Sequence, residues 1–226
     1  MRKPYNSPKD VFLESSLFSK DPLEQFKHWF EEASSNPQIK EANAMCLATA
    51  SKSGRPSARV VLLKGFGVDG FKFFTNYESR KAEDIKENPQ VALSFYWEPL
   101  VRQVRIEGIV EKLSEEESTA YFQSRPLENQ LGAWCSRQGS PITSRDVLEK
   151  RMVELRQEFP DTQEKLPKPP YWGGYCVIPD TFEFWQGQSN RVHDRIRFRK
   201  CSASDLVDGD LLHQGEGDWV YERLSP

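Results

Sequence analysis

Five basic side chains recur at alternate positions near the end of the chain: Arg191, His193, Arg195, Arg197 and Arg199. Successive side chains of an extended strand point to opposite faces. The spacing therefore predicts a strand over 191–199 with these five on one face and Val192, Ile196 and Phe198 on the other. Arg197 and Arg199 suit a solvated face. Arg191, His193 and Arg195 instead follow a polar, glycine-containing turn (Gly187-Gln188-Ser189-Asn190) beside Trp185. An imidazole flanked in register by two guanidinium groups is placed to bind an anion or to move a proton.

Three further clusters have the same anion-binding character. In Ser57–Lys64, Arg59 and Lys64 bracket an otherwise apolar strand. They either snorkel at the strand ends or flank a ligand lying along it. In Thr75-Asn76-Tyr77-Glu78-Ser79-Arg80-Lys81, two cations fall in the first turn of a short helix, where the helix dipole favours anions. A phosphate seated between them and the free N–H groups would relieve that conflict. In Tyr121–Asn129, the residues Tyr121, Arg125 and Asn129 recur every four positions, presenting a hydroxyl, a guanidinium and an amide. Pro126 interrupts this stretch, so a shared helical face competes with an ordinary exposed polar surface.

The cations exceed what one phosphate needs. About four charge-assisted hydrogen bonds at roughly 1.5–3 kcal/mol each give roughly 6–12 kcal/mol gross, against about 4–15 kcal/mol lost on association. Ring burial against apolar surface must supply the remainder. The grouping of Arg59, Arg80 and Lys81 apart from Lys64, Tyr121 and Arg125 suggests two phosphorylated ligands in one site. The chain has the aromatics for flat ligands: 14 Phe, 7 Tyr and 6 Trp.

The elements that must position these residues follow from pattern. Asp21-Pro22 opens a helix with Leu23, Phe26, Phe30 and Ala33 on one face. Strands are predicted over Ala44–Ala50, Ser57–Lys64 and Phe71–Thr75, separated by the turn clusters SKSGRP and GFGVDG. Ser79 caps a helix over Arg80–Glu87. Strands follow at Gln90–Trp97 and Val101–Leu113, then a capped helix from Ser114 to Ser124. Helices are predicted near Glu128–Cys135 and Ser144–Phe159, and the proline-bearing stretch 160–170 reads as a linker. Strands return at Gly174–Ile178, Phe182–Gln186, Arg191–Arg199 and Asp218–Arg223. Antiparallel groups with helices inserted between them predict an α+β fold, an antiparallel barrel closed or partly closed, with peripheral helices. Residues 1–20 read as a mobile arm and 21–226 as one domain.

Composition removes other classes. The 226 residues carry 31 Lys and Arg against 34 Asp and Glu, a net charge of −3, which argues against a general nucleic-acid binder. No apolar run approaches a membrane span, and MRKPYNSPKD has no apolar stretch behind its basic residues. A soluble, cytoplasmic protein is expected. Four scattered cysteines and three histidines form no CxxC, HExxH or mixed cluster, so reduced thiols and no metal site are expected. The glycines at 65, 67 and 70 do not form a dinucleotide-binding GxGxxG.

FEFWQGQSNRVHDR resembles the C-terminal signature of the pyridoxine (pyridoxamine) 5′-phosphate oxidases, FMN enzymes of the split-barrel fold, and RVVLLKGFG, FFTNYESRKA, FYWEPLVRQVRIEG and YFQSRP resemble further blocks of that family in the expected order. The resemblance runs from about Pro22 to Pro226. It implies FMN contacts at Arg59, Val60, Val61, Leu62, Phe74, Thr75, Arg80, Lys81, Gln103, Gln138, Gly139, Trp185 and Arg195. It implies substrate contacts at Lys64, Tyr121, Arg125 and Asn129 around a phosphate, and at Arg191, Val192 and His193 over a pyridine ring, with His193 and Arg191 as the catalytic pair. Arg2 and Tyr5 resemble lid residues of that family. The implied reaction oxidises pyridoxine or pyridoxamine 5′-phosphate to pyridoxal 5′-phosphate, reducing O2 to H2O2, in a homodimer with FMN at its interface. The family often has Ser at the positions of Asn129 and Gly139. Asn129 keeps a donor, whereas Gly139 lacks a hydroxyl and implies weaker FMN binding. Two other readings share the fold: a flavin reductase, and a non-catalytic binder of FMN or pyridoxal phosphate. Tyr121 and Arg125 together with Arg191-x-His193 favour the oxidase over both.

Overall fold

A computed structural model of the chain describes residues 11–160 and 166–226. Arg2 and Tyr5 lie outside the described residues. Helix α1 spans Pro22–Ser35; the Asp21 carboxylate accepts from the Leu23 N–H at 2.9 Å and Pro22 occupies the first turn. Its inner face buries Phe26, Trp29 and Ala33. Phe26 meets Phe66 and Phe71 edge-on, each at 5.0 Å, at the centre of the main core.

The sheet is antiparallel throughout. Its strands are β1 (Ala44–Ala50), β2 (Pro56–Leu62), β3 (Gly65–Gly67), β4 (Gly70–Asn76), β5 (Gln90–Trp97), β6 (Arg102–Lys112), β7 (Trp172–Gln186), β8 (Asp194–Lys200), β9 (His213–Gln214) and β10 (Trp219–Arg223). The order is β2-β1-β5-β6-β7-β8-β10-β9, with β4 also paired to β7. Strand β7 makes the barrel split. One edge pairs with β6 over residues 175–186, while the other divides. Residues 172–177 pair with β4 and residues 181–186 pair with β8. The architecture is the α+β antiparallel split barrel that the pattern predicts.

The sequence reading divides β7 into two strands at Pro179-Asp180, but the chain runs through. Asp180 is taken up as a bulge, because the β6 partners step from Glu107 opposite Thr181 to Gly108 opposite Pro179. A Cβ at Gly108 would fall 2.1 Å from the Ile178 carbonyl oxygen, so the crossing tolerates only glycine.

Two expectations are corrected. The strand predicted over 191–199 begins only at Asp194. The residues before it form a turn closed by local bonds: Arg191 N–H to Gln188 O, Val192 N–H to the Asn190 side chain, and Gln188 N–H to His193 Nδ1. Such bonds compete with the ladder and win here. Arg191 consequently takes φ +72°, and neither it nor His193 shares a strand face with Arg195. Residues 11–20, read as part of an arm, are docked: Phe12 is buried and packs on Trp29 at 4.9 Å.

Helix α2 (Arg80–Glu87) follows β4, and α3 (Glu115–Ser124), α4 (Leu127–Cys135) and α5 (Asp146–Glu158) precede β7. Phe122, Leu131, Leu155, Leu166 and Trp172 form a second, smaller core joining these helices to the start of β7. No helix among the described residues is long and apolar enough to cross a membrane.

Gly108→Ala should lower stability by about 1–3 kcal/mol in urea unfolding, the usual cost of overpacking. Gly132→Ala, in α4 with open space at its Cβ, should be neutral or stabilising by up to about 1 kcal/mol. Equal effects at the two positions would contradict this account of the crossing.

Candidate functional site

A cavity of about 930 Å³ opens where β2, β4, α3 and α4 converge. Strand β2 contributes Arg59 and an aliphatic wall of Val60, Val61 and Leu62; β4 contributes Phe74 and Thr75. The Arg59 guanidinium is fixed from below. Nη1 donates to Thr49 Oγ1 at 2.8 Å and Nη2 to Ser57 Oγ at 2.6 Å, while Thr49 donates to the buried Asp84 carboxylate at 2.6 Å.

Lys81 is the most unusual group in the cavity. Its ammonium is buried and donates to Gln138 Oε1 at 2.6 Å, Ser79 Oγ at 3.0 Å and Thr75 Oγ1 at 3.1 Å. All three acceptors are neutral, and among the described residues no carboxylate pairs with it. Burial, with Arg59 adding repulsion, pushes its pKa down to about 8. Ser79 holds the N-cap position of α2, but its hydroxyl donates to Asn76 O at 2.7 Å instead of capping the helix.

Arg125 is a second desolvated cation. It stands between α3 and α4 with its guanidinium carbon 4.8 Å from the centre of the Trp172 ring, and Nη1 is buried with no hydrogen-bond partner. Burial lowers its pKa. Tyr121 stacks on Phe74 at 3.9 Å, and Phe74 on Trp172 at 5.5 Å, giving the cavity an aromatic wall. Pro126 does end α3, so Tyr121, Arg125 and Asn129 do not share one helix face. The α3–α4 corner nevertheless brings all three to the cavity, together with Lys64. The carboxylate at the rim, Glu128, is engaged by Arg156 in two hydrogen bonds of 2.8 and 3.0 Å.

Other predicted residues lie elsewhere. Arg80 is exposed and outside the lining, though close enough to depress the pKa of Arg59. Gly139 sits in the neighbouring turn at φ +94°, a conformation that suits glycine better than the serine often found there. Gln103, Trp185 and Arg195 stand side by side across β6, β7 and β8, away from the cavity lining. His193 lies 4.9 Å from the Trp185 ring, with Arg191 and the exposed Val192 in the adjoining turn. The buried Glu183 carboxylate accepts from Arg195 Nε at 2.8 Å. One chain thus carries two separate clusters. Trp172 went unread as a site residue, because its only signal was an aromatic residue after Pro169-Pro170.

Residues 32–159 match the family model described as pyridoxamine 5′-phosphate oxidase, and residues 172–226 match that of the pyridoxine 5′-phosphate oxidase C-terminal dimerisation region. The chain belongs to the pyridoxamine 5′-phosphate oxidase family. It is 56% identical to the pyridoxine/pyridoxamine 5′-phosphate oxidase of Bombyx mori, covering all of this chain and 88% of that protein. It is 56% identical to the pyridoxine-5′-phosphate oxidase of Bos taurus, covering all of this chain and 86% of that one. Among solved structures, PhzG from Burkholderia lata in complex with tetrahydrophenazine-1-carboxylic acid matches with TM-score 0.81 and 27% identity, over 98% of this chain and 100% of that one. An FMN-binding protein from Nostoc punctiforme, related to pyridoxamine 5′-phosphate oxidase, shares the fold at TM-score 0.67 and 18% identity, over 91% of this chain and 98% of that one.

The cavity fits the cofactor of this family. A flavin mononucleotide needs an anion seat and an apolar wall for a flat ring; Lys81 with Arg59 offers the first, and Val60–Leu62 the second.

The pKa of Lys81 gives a pH test. In the unfolded chain the lysine holds its proton up to the ordinary value of 10.5, whereas in the fold it is lost near 8. Between these values the unfolded state binds more protons, so stability rises with pH through this window, and the full cost of the buried charge is felt below it. Flavin-free protein should therefore gain thermal stability from pH 8 to 10.5 relative to Lys81→Met. A constant difference between the two melting curves would contradict the assignment.

Proposed function

We propose that the chain is an FMN-dependent oxidase that converts pyridoxine or pyridoxamine 5′-phosphate to pyridoxal 5′-phosphate, with O2 as the final acceptor. The observation that carries this reading is the pair of desolvated cations, Lys81 and Arg125, in one cavity with no carboxylate partner for either among the described residues. Two such charges call for two anionic groups, and both this substrate and this cofactor are phosphate monoesters.

In this reading Lys81 and Arg59, with Thr75 and Gln138, hold the flavin phosphate. Lys64, Tyr121, Arg125 and Asn129 hold the substrate phosphate. Arg125 is oriented by the Trp172 face before the ligand arrives, which reduces the ordering cost of binding. Bound FMN supplies the two-electron redox chemistry. The turn residues Arg191 and His193 cover the pyridine ring. His193 Nδ1 accepts from the Gln188 N–H at 2.9 Å, so the ring proton of the neutral imidazole is on Nε2, the atom that shares a proton with the C4′ substituent.

The separation of the two clusters within one chain supports a homodimer in which each cavity is completed by the Trp185, Arg191, His193 and Arg195 cluster of a second copy. The match of residues 172–226 to a dimerisation region supports the same assembly.

Steady-state formation of pyridoxal 5′-phosphate tests the assignments. Arg125→Met should raise KM for pyridoxine 5′-phosphate by about 10–100-fold with kcat little changed, the loss of one charge-assisted phosphate bond. His193→Ala should lower kcat more than it raises KM; a change in KM alone would remove His193 from the chemistry. At pyridoxine 5′-phosphate well below the raised KM of Arg125→Met, where both variants are nearly silent, co-refolding the two should restore about a quarter of wild-type activity, because half the dimers are mixed and each mixed dimer has one intact site. No recovery would place both residues in a site formed within one chain.

A further inference from the structure

Asp194 opens β8 one residue after His193, and it is buried. Its carboxylate joins three distant segments. Oδ2 accepts from the Phe12 backbone N–H at 3.0 Å and from Gln188 Nε2 at 2.8 Å, and Oδ1 accepts from Arg223 Nη1 at 2.9 Å. Arg223, in β10, also donates to Phe12 O at 2.7 Å and to both Glu14 carboxylate oxygens, at 2.7 and 3.0 Å. On the turn side, Gln188 is held at both ends. Its side chain is tied to Asp194, and its backbone N–H donates to His193 Nδ1.

Between Gln188 and Asp194 the backbone passes through Arg191 at φ +72°. A side-chain-bearing residue keeps that conformation when its surroundings over-determine it, and such strain concentrates where a side chain must be aimed. Here the over-determination comes from both ends of the turn meeting at one buried carboxylate. Local bonds, from Arg191 N–H to Gln188 O and from Val192 N–H to Asn190 Oδ1, close the turn itself, and Gly187 N–H to Val101 O at 2.9 Å ties its first stem to the start of β6.

We infer that Asp194 is a positioning residue for the oxidase reaction: through Gln188 it fixes the orientation and tautomer of His193. It acts from beneath the turn and touches neither substrate nor cofactor. The same carboxylate anchors the segment at Phe12, so the start of the docked chain and the turn share one attachment. The inference rests on the assignment of His193 and Arg191 proposed above.

The test is a double-mutant cycle on the flavin-loaded enzyme with pyridoxine 5′-phosphate, flavin content being read from visible absorbance. Asp194→Asn keeps the shape but replaces a two-oxygen acceptor with one acceptor and one donor facing three donors. It should lower kcat about 10-fold with KM changed less than about twofold and flavin content unchanged. In a His193→Ala background it should lower kcat no further, because its effect passes through the imidazole. Gln188→Ala leaves the Asp194–Arg223–Phe12 contacts in place and should show the same pattern, and it carries the test if Asp194→Asn does not fold. Additive losses of kcat, or wild-type kcat in Gln188→Ala, would overturn the positioning role while leaving the oxidase reading intact. Wild-type kcat in His193→Ala alone would overturn the assignment of His193 and the positioning role with it, whereas no oxidation of pyridoxine 5′-phosphate by the flavin-loaded wild-type enzyme would overturn the oxidase reading itself.

Discussion

Lys81 is buried against three neutral oxygens, and Arg125 lies against the Trp172 face with one guanidinium nitrogen unsatisfied. Removing a charge from water without an opposite charge to meet it is among the costlier arrangements a fold can hold. Acidic groups are plentiful in this protein, with 34 Asp and Glu, yet Asp84 accepts from Thr49 and lies 3.9 Å from Arg59, and Glu128 is held by Arg156. Among the described residues, Lys81 and Arg125 are thereby left without a carboxylate, while Asp84 meets Arg59 alone of the three cations. Phosphates held as proposed would recover that cost and make ligand occupancy part of the protein's stability.

The remaining architecture serves that cavity and its counterpart. Strand β7 pairs with β4 at one end and β8 at the other, so a single strand spans from Trp172 at the cavity wall to Trp185 in the second cluster. The bulge at Asp180 lets the strand bend between these two tasks without losing β6. A two-fold pairing of chains is the economical way to bring such separated clusters together, since an isologous interface supplies each half twice.

Much of this was legible in the residues. Alternation and turn clusters marked most strands, and two cations in the first turn of α2 pointed to an anion seat because they oppose the helix dipole. Lys81 turns into the cavity, whereas Arg80 turns outward; adjacent positions on a helix do not share a face. The strand expected over 191–199 failed for a physical reason. Period-two alternation of Arg191, His193 and Arg195 is a valid strand signal, but Asn190 and His193 bind backbone groups within the turn and stop the ladder short. Pro126 hid a real convergence, since the α3–α4 corner, not one helix face, gathers Tyr121, Arg125 and Asn129. Trp172 was illegible because its role depends on where the second core places Arg125, a long-range packing outcome with no local signature.

The most direct measurement is an anaerobic visible spectrum of the flavin-loaded protein, recorded before and after addition of pyridoxine 5′-phosphate, with unphosphorylated pyridoxine as the comparison. Bleaching of the flavin band by the phosphate ester, its absence with pyridoxine at equal concentration, and recovery in air with release of pyridoxal 5′-phosphate is the predicted result. A band that persists with the phosphate ester, or bleaches equally with both compounds, would contradict a cavity whose unpartnered cations select a phosphorylated substrate for oxidation.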